Sequence, residues 1–362
     1  MLERIAAPYD LGNGVTLAGI GLSIGIAVGG KDGTTGAELL RNADLALYRS
    51  KSEGKGTFRF FEVEMDEIVK DRRSLEQDLR EALQLNQLSL SYQPLVSAKD
   101  QHSEGFEALV RWNHPERGLI SPADFIPLAE SMGIISEIGD WVVRQACKEA
   151  VTWPSHLTVA VNLSPAQFQK KRILDSVRLA IAETNIDPKR LELEITEGLF
   201  IENTSDVIDV LNELKQMGVS IALDDFGTGY SSLSYLLKFP FDKLKIDRSF
   251  ISSIQEDMVA RNVLEAIAKL GNVLDLKVTA EGVETLAQVE ALSGLSCTHF
   301  QGFLFGKPLS AFDLPAYLLT EASEVAEVEK RKAGDSISKR QDKLLKLDFI
   351  QGSKSHNPFH RR

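Results

Sequence analysis

Cysteine is almost missing from this chain of 362 residues; Cys147 and Cys297 are the only two, and they stand alone. Two isolated cysteines support neither a disulfide framework nor a zinc cluster, so a reducing, cytoplasmic setting is expected. Positive charge is short as well. Forty-one Lys and Arg face 52 Asp and Glu, for a formal net charge of −11, which excludes the basic surface that nonspecific nucleic-acid binding requires. Histidine is sparse, with 6 in all. Long apolar runs are lacking too. The best candidate, "VTLAGIGLSIGIAV" from Val15 to Val28, carries three glycines and is shorter than the roughly 20 residues of a spanning helix. No basic stretch closely precedes it, as a signal peptide would need. It is expected to be a buried strand, and no membrane anchor is expected in this chain.

What remains is an ordinary soluble composition, 43% hydrophobic and 26% charged, in a chain long enough for a barrel of about 250 residues and something more. Residues 1–61 read as strand material, a glycine-rich turn "GGKDGTTG" and a helix over Ala37–Ser52, with Leu39, Leu40, Ala43, Ala46 and Leu47 at helical spacing. Sixty residues make a thin core, so this piece looks incomplete by itself. Residues 62–85 predict a connecting amphipathic helix, with Met65, Ile68, Val69, Leu75, Leu79 and Leu83 on one stripe. Residues 86–320 alternate short apolar strands with helical stretches, and 321–362 are polar and mixed in charge, as in a mobile tail. Within that tail the Leu344–Ile350 patch offers a docking segment, but a frayed tail is the expectation.

The strand candidates of the third segment are "LSLSYQ", "GFEALVR", "LTVAVNL", "LELEIT", "VSIALD", "DKLKID", "KVTAEG" and "CTHFQG". Eight strands alternating with helices over this length predict a (β/α)8 barrel, whose chemistry sits at the C-terminal strand ends. Those ends carry Gln93, Glu107, Asn162, Glu194, Asp224, Lys245, Glu281 and Gln301. Every one can ligate a metal or move a proton. Glu194 shares its phase with Glu192, Asn162 with Ala160, and Asp224 with Ser220 and Ala222, so the polar and small phase faces the barrel interior.

A set of ordinary buried polar residues is the plain alternative, and it fares poorly. Glu107, Glu194, Asp224 and Glu281 would meet at one mouth with Lys245 as the cation, and buried like charges are costly unless protonated, paired or bound to a metal. Carboxylates with an amide oxygen are hard ligands suited to Mg²⁺ or Mn²⁺. "IALDDFGTGYSSL" adds Asp225 beside Asp224. Neighbours on a strand point to opposite faces, which places Asp224 inside, as a ligand able to bridge, and Asp225 at the rim, within reach of a second ion. Two ions suit the activation of water for attack on a phosphoryl group. The bare loop after them can close over a substrate.

Taken in order, "EALVRW", "VNLSPAQF", "LELEITE", "LDDFGTGYSSL", "LKIDRSF", "TAEGVE" and "FQGFLFGKPL" resemble the EAL-domain family of cyclic di-GMP phosphodiesterases, over about Leu75 to Leu319. The resemblance implies a (β/α)8 barrel whose first strand runs antiparallel. It also implies hydrolysis of cyclic di-GMP to linear pGpG with Mg²⁺ or Mn²⁺, two per site, inhibition by Ca²⁺, and a homodimer formed through this domain. It makes Glu107, Asn162, Glu194, Asp224 and Asp225 the metal ligands, Lys245 the contact to the attacking water, and Glu281 the general base, with Glu107 counted among the catalytic groups. Gln93, Leu109, Arg111 and Pro308 are implied to grip the nucleotide, Glu284 and Gln301 to support the same mouth, and Glu197 to anchor the DDFGTGYSS loop.

"LSIGIAVGGKDGTTGAELLRNADLALYRSKSEGKGTFRFF" is similar to the C-terminal half of a GGDEF domain, an α+β diguanylate cyclase fold. The signature loop and the first half of that fold are absent here, so no cyclase activity is expected, and a longer parent protein could carry a sensor or membrane domain. Two rivals to an active phosphodiesterase are a cyclic di-GMP receptor without turnover and a scaffold acting through protein contacts. The complete ligand set favours the enzyme.

Overall fold

A computed structural model describes residues 2, 5, 9–10, 12, 16–17, 21–52, 54–200, 204–227, 233–255 and 257–323. The chain divides into two compact units, Met1–Asn86 and Gln87–Arg362.

In the first unit, strand β1 (Ile24–Ile26) leads through a glycine-rich turn into helix α1 (Gly36–Ser52), which returns the chain to β2 (Phe58–Phe60), parallel to β1 with Ile24 opposite Phe58. Glu38 holds the start of the helix: its carboxylate accepts the Thr34 and Thr35 N–H groups, while Thr35 Oγ1 accepts the Glu38 N–H. Gly25 lets α1 lie directly on the strand, because a Cβ there would stand 2.0 Å from the Ala43 carbonyl oxygen. Helix α2 (Glu64–Ala82) brings Met65 and Val69 to a small core with Leu45, Ala46 and Phe61. The segment Val15–Val28 is not one buried strand. Its described parts are a two-residue strand, Thr16–Leu17, paired with Tyr9–Asp10, and β1, which is only half-buried. Two strands cannot cover both of their own faces.

In the second unit the strands are β3 (Leu88–Ser97), β4 (Ser103–His114), the short β5 (Gly118–Ile120), β6 (Thr158–Asn162), β7 (Leu191–Thr196), β8 (Ser220–Phe226), β9 (Lys243–Ile246), β10 (Lys277–Ala280), β11 (His299–Gln301) and β12 (Leu309–Ser310). Between them run helices α3 (Pro122–Met132), α4 (Ile135–Ala150), α5 (Arg172–Thr184), α6 (Thr204–Gln216), α7 (Leu233–Lys238), α8 (Met258–Val273) and α9 (Leu286–Leu292). The order β3-β4-β6-β7-β8-β9-β10-β11 closes back on β3 to form an eight-stranded barrel, with β5 and β12 outside the ring.

Strand β3 is antiparallel to both neighbours, with Gln93 opposite Glu107 and Gln301 opposite Leu95; the other junctions are parallel. Strict alternation of strand and helix therefore fails at the first step. The link 98–102 is too short for the crossover that a parallel pair requires, so β3 and β4 form a hairpin.

The two phases of the strands separate as the sequence pattern predicts. Val159, Val161, Leu191, Leu193, Ile221, Leu244 and Val278 are buried against the helices. Glu192, Glu194, Asp224, Lys243, Lys245, Thr279, His299 and Gln301, on the other phase, are also buried. Burying so much apolar surface on the outer phase, at roughly 25 cal/mol per Å², is what makes a charged barrel interior tolerable. After β12 the chain is helical over 314–323, and Glu321 accepts the Ser103 N–H while Tyr317 Oη lies 3.1 Å from Ser103 Oγ. Most of the 321–362 segment, including Leu344–Ile350, lies outside the described residues. Among those described, no helix is long and apolar enough to cross a membrane.

Candidate active site

Lys245 is the hub of the upper, C-terminal mouth. Its Nζ lies 2.7 Å from Glu281, 2.8 Å from Glu194, 3.3 Å from Asp224 and 3.6 Å from Glu107. Strand β8 stands between β7 and β9, and its inward residues below Asp224 are Ser220 and Ala222. Those small side chains leave room for Glu194 and Lys245 to meet across them. An ammonium has three N–H donors, so one lysine cannot satisfy four carboxylates.

The acid–base properties follow from this imbalance. Burial opposes the charge on Lys245, but Asp224, Glu107, Glu194 and Glu281 outweigh it and hold the ammonium well above the ordinary lysine range. Burial, with the neighbouring Glu107 charge, pushes the Glu194 carboxyl well above its usual range. Glu281 is pushed up to about 8, mainly by burial, against the pull of Lys245 and with Asp224 and Glu107 adding to it. Asp225 is raised by burial and by Asp224 and Asp247. Glu107 goes the other way. Its burial is offset by Lys245 and by the Gln301 and Asn162 amides, which hold its carboxyl below the ordinary value.

Asp224 and Asp225 depart from the alternation expected of strand neighbours. The β8–β9 register shifts between Leu223 and Phe226, and Asp225 adopts φ +54°. The bulge turns the second carboxylate back toward the first, so that oxygens of Asp224, Asp225 and Glu281 lie within 4.8 Å of one another. Asp tolerates this left-handed conformation, and its N–H donates to Asp224 Oδ1 at 2.9 Å. The chain then turns at Gly227, φ +97°, where a Cβ would meet the Phe250 ring at 2.8 Å. Glu197 Oε1 accepts the Gly227 N–H at 3.0 Å. Residues 228–232, including Gly229, lie outside the described residues.

Two amides orient Glu107. Asn162 Nδ2 donates to its Oε1 at 2.5 Å and Gln301 Nε2 to its Oε2 at 2.6 Å. With its Nδ2 so engaged, Asn162 keeps Oδ1 as an acceptor. Gln93 sits at the edge of this network, with long contacts of 3.4 Å to Gln301 and to the Gly306 carbonyl. Leu109 and Arg111 line a cavity of about 330 Å³ that reaches Asn162 and has Ile126, Ile138 and Val142 in its walls. The Arg111 guanidinium is half-buried, and burial lowers its pKa. Pro308 is half-buried immediately before β12. Glu284 is exposed; its N–H donates to Gln288 Oε1 at the start of α9, and its carboxylate holds no contact with the Lys245 cluster.

Sequence reasoning passed over one ion pair. Lys243 Nζ lies 2.6 Å from Glu192 Oε1, and both side chains are buried. The signal was available, since Glu192 shares a phase with Glu194 and Lys243 with Lys245.

The donor set of carboxylates and one amide oxygen, too acidic for its single lysine, fits a hard divalent cation. Fold and site together define a (β/α)8 barrel protein with an acidic, oxygen-lined catalytic mouth. The chain belongs to the EAL domain family, whose model matches residues 76–308. It is 47% identical over 308 residues to a signalling protein of Caulobacter vibrioides, an alignment covering 85% of this chain and 38% of that protein. To the bifunctional diguanylate cyclase/cyclic di-GMP phosphodiesterase MucR of Pseudomonas aeruginosa it is 43% identical over 320 residues, 87% of this chain and 46% of that one. The chain thus spans less than half the length of these relatives. A solved PaMucR phosphodiesterase in complex with c-di-GMP superposes with a TM-score of 0.64 at 46% identity, covering 67% of this chain and 99% of that one.

Proposed function

We propose that this chain hydrolyses cyclic di-GMP to linear pGpG, with Mg²⁺ or Mn²⁺ as cofactor. The observation that carries the reading is the convergence of Glu107, Glu194, Asp224 and Glu281 within 4.0 Å of the one Lys245 ammonium. Glu107, Asn162 Oδ1, Glu194 and Asp224 would hold one ion, and Asp224 with Asp225 a second. Bound divalent ions supply a lowered water pKa and neutralisation of developing oxyanion charge. Within that frame Lys245 orients the water and Glu281 takes its proton, which requires an ionised Glu281. Gln301 fixes Glu107 through its Oε2. Arg111 meets the phosphate, and Gln93, Leu109 and Pro308 hold the nucleotide. Glu284, at the rim, supports the same mouth. Ca²⁺, larger and looser in geometry, inhibits.

The proposal extends to assembly. Leu237 on α7 and Met258, Val259 and Val263 on α8 are exposed, while Leu264, Ile267 and Ala268 on the opposite face of α8 are buried. These exposed apolar side chains suit a second copy of the chain, giving a homodimer through the barrel. The first unit supplies no diguanylate cyclase activity; its single βαβ turn fits the C-terminal half of a GGDEF fold. Location is proposed as cytoplasmic. Incubating the purified chain with cyclic di-GMP and Mg²⁺ and resolving the products by chromatography tests the activity, and absence of pGpG would overturn it.

A further inference from the structure

Two glutamates and two lysines stack inside the barrel across the small residues of β8. On β7 stand Glu192 and, one inward step nearer the upper mouth, Glu194; on β9 stand Lys243 and Lys245. Strand register fixes their heights. Ala222 of β8 is the partner of Glu194 on one side and of Lys243 on the other, so Lys243 is level with Glu194. Ser220, one inward step lower, is the partner of Glu192.

The ion pairs do not follow these levels. Lys243 Nζ lies 2.6 Å from Glu192 Oε1, and Lys245 Nζ lies 2.8 Å from Glu194 Oε2, with all four side chains buried. Lys243 therefore pairs one step down rather than across. By strand spacing the level Lys243–Glu194 separation is roughly 10 Å between Cα atoms, and the diagonal to Glu192 roughly 12 Å. Lys243 spans the longer of the two, so the shorter is also within its reach. A level pair would set an ammonium on a carboxylate that the proposed function gives to a divalent ion.

We propose that Glu192 is a positioning residue that draws Lys243 down and away from Glu194, keeping Glu194 open to a divalent cation, a role that rests on Glu194 being a metal ligand as in the proposed function. The plain alternative is a pair that only holds the barrel together. A buried ion pair adds little stability over apolar side chains of similar volume, so stability alone is a weak reason for one here. Withdrawing the Glu192 charge leaves the Lys243 ammonium buried and uncompensated. Of the acids at the lower end, Glu104 is held by His299, Asp242 by Lys215 and the Ile221 N–H, and Asp275 is exposed. Glu194 is buried, level with Lys243, and shares Lys245 with three other acids. It is the acceptor that the freed ammonium reaches.

The test is a double-mutant cycle on Mn²⁺ binding to the whole chain, stripped of divalent ions and followed by the electron paramagnetic resonance of free Mn²⁺. Glu192→Gln should raise the Mn²⁺ midpoint about tenfold. Lys243→Met should shift it by less than about twofold in the wild-type chain, but lower it at least about fivefold in the Glu192→Gln background. Mere loss of a nearby negative charge predicts additivity, with Lys243→Met acting equally in both backgrounds, and that result overturns the positioning role. A wild-type chain that binds no Mn²⁺ overturns the metal reading and this role with it. Wild-type binding that Glu192→Gln leaves unchanged overturns this role alone. If Lys243→Met does not fold, a metal-free crystal structure of Glu192→Gln decides. Lys243 Nζ against Glu194 is the expected result; Lys243 still directed at residue 192, or turned out to the lower mouth, is the contrary one.

Discussion

The Lys245 ammonium touches Glu281 at 2.7 Å, its shortest carboxylate contact, while the Glu281 carboxyl is still pushed up to about 8 by its burial and acidic neighbours. The contact and the raised value belong together: one lysine is shared among four acids, and its pull on Glu281 does not offset that residue's burial. Uncompensated acid of this kind favours a bound cation or a retained proton.

A first prediction concerns pH. With its folded pKa above that of an ordinary carboxyl, Glu281 retains a proton in the folded chain that the unfolded chain has already lost between roughly pH 4.5 and 8. Metal-free protein should therefore lose stability as pH rises through that window, at up to about 1.4 kcal/mol per unit. Urea melts in chelator at several pH values test this. Glu281→Gln should flatten the slope, and a wild-type slope of the opposite sign would refute the argument.

Metal dependence gives a second. Turnover should appear with Mg²⁺ or Mn²⁺, disappear with chelator and fall when Ca²⁺ is added. A phosphodiesterase assay after metal removal decides it, and undiminished turnover in metal-free buffer is the contrary result.

Binding and chemistry should separate at Glu281. Glu281→Ala is expected to hold substrate affinity within about tenfold while turnover falls by ~10² or more. Steady-state kinetics with equilibrium binding measures both; a mutant with wild-type turnover would remove Glu281 from the role of base.

The loop anchor should act at a distance. Glu197 accepts the Gly227 N–H at 3.0 Å, one residue past Phe226 at the end of β8. Glu197→Gln replaces a charge-assisted hydrogen bond with a weaker neutral one. A Mg²⁺ titration should show a weaker midpoint and lower turnover together, by a factor of about 5–150 for coupling of ordinary size, with dimer content followed by light scattering. An unchanged midpoint and rate would make Glu197 a simple rim carboxylate.

Much of this protein is legible in its sequence. Period-two alternation identified the strands, because an inward polar phase and an outward apolar phase are local properties of the chain. "LELEIT", "SIALDD" and "KLKI" each declare which residues face inward, and with them most of the groups around Lys245. Motif order added the family. Chain reversals and side-chain meetings were decided elsewhere. The antiparallel course of β3 follows from the length of the link 98–102, and the closed ring follows from both edges of the sheet needing partners. Strand alternation sends Asp225 away from Asp224; a bulge and a left-handed backbone bring it back, a change of register that no single-strand pattern contains. The Lys243–Glu192 and Lys245–Glu194 pairs join residues 51 positions apart, across a strand whose small side chains let them meet. Pattern along the chain sets which way each side chain points. Only closure of the barrel sets which charges must share one space, and so how far each is driven from its ordinary pKa.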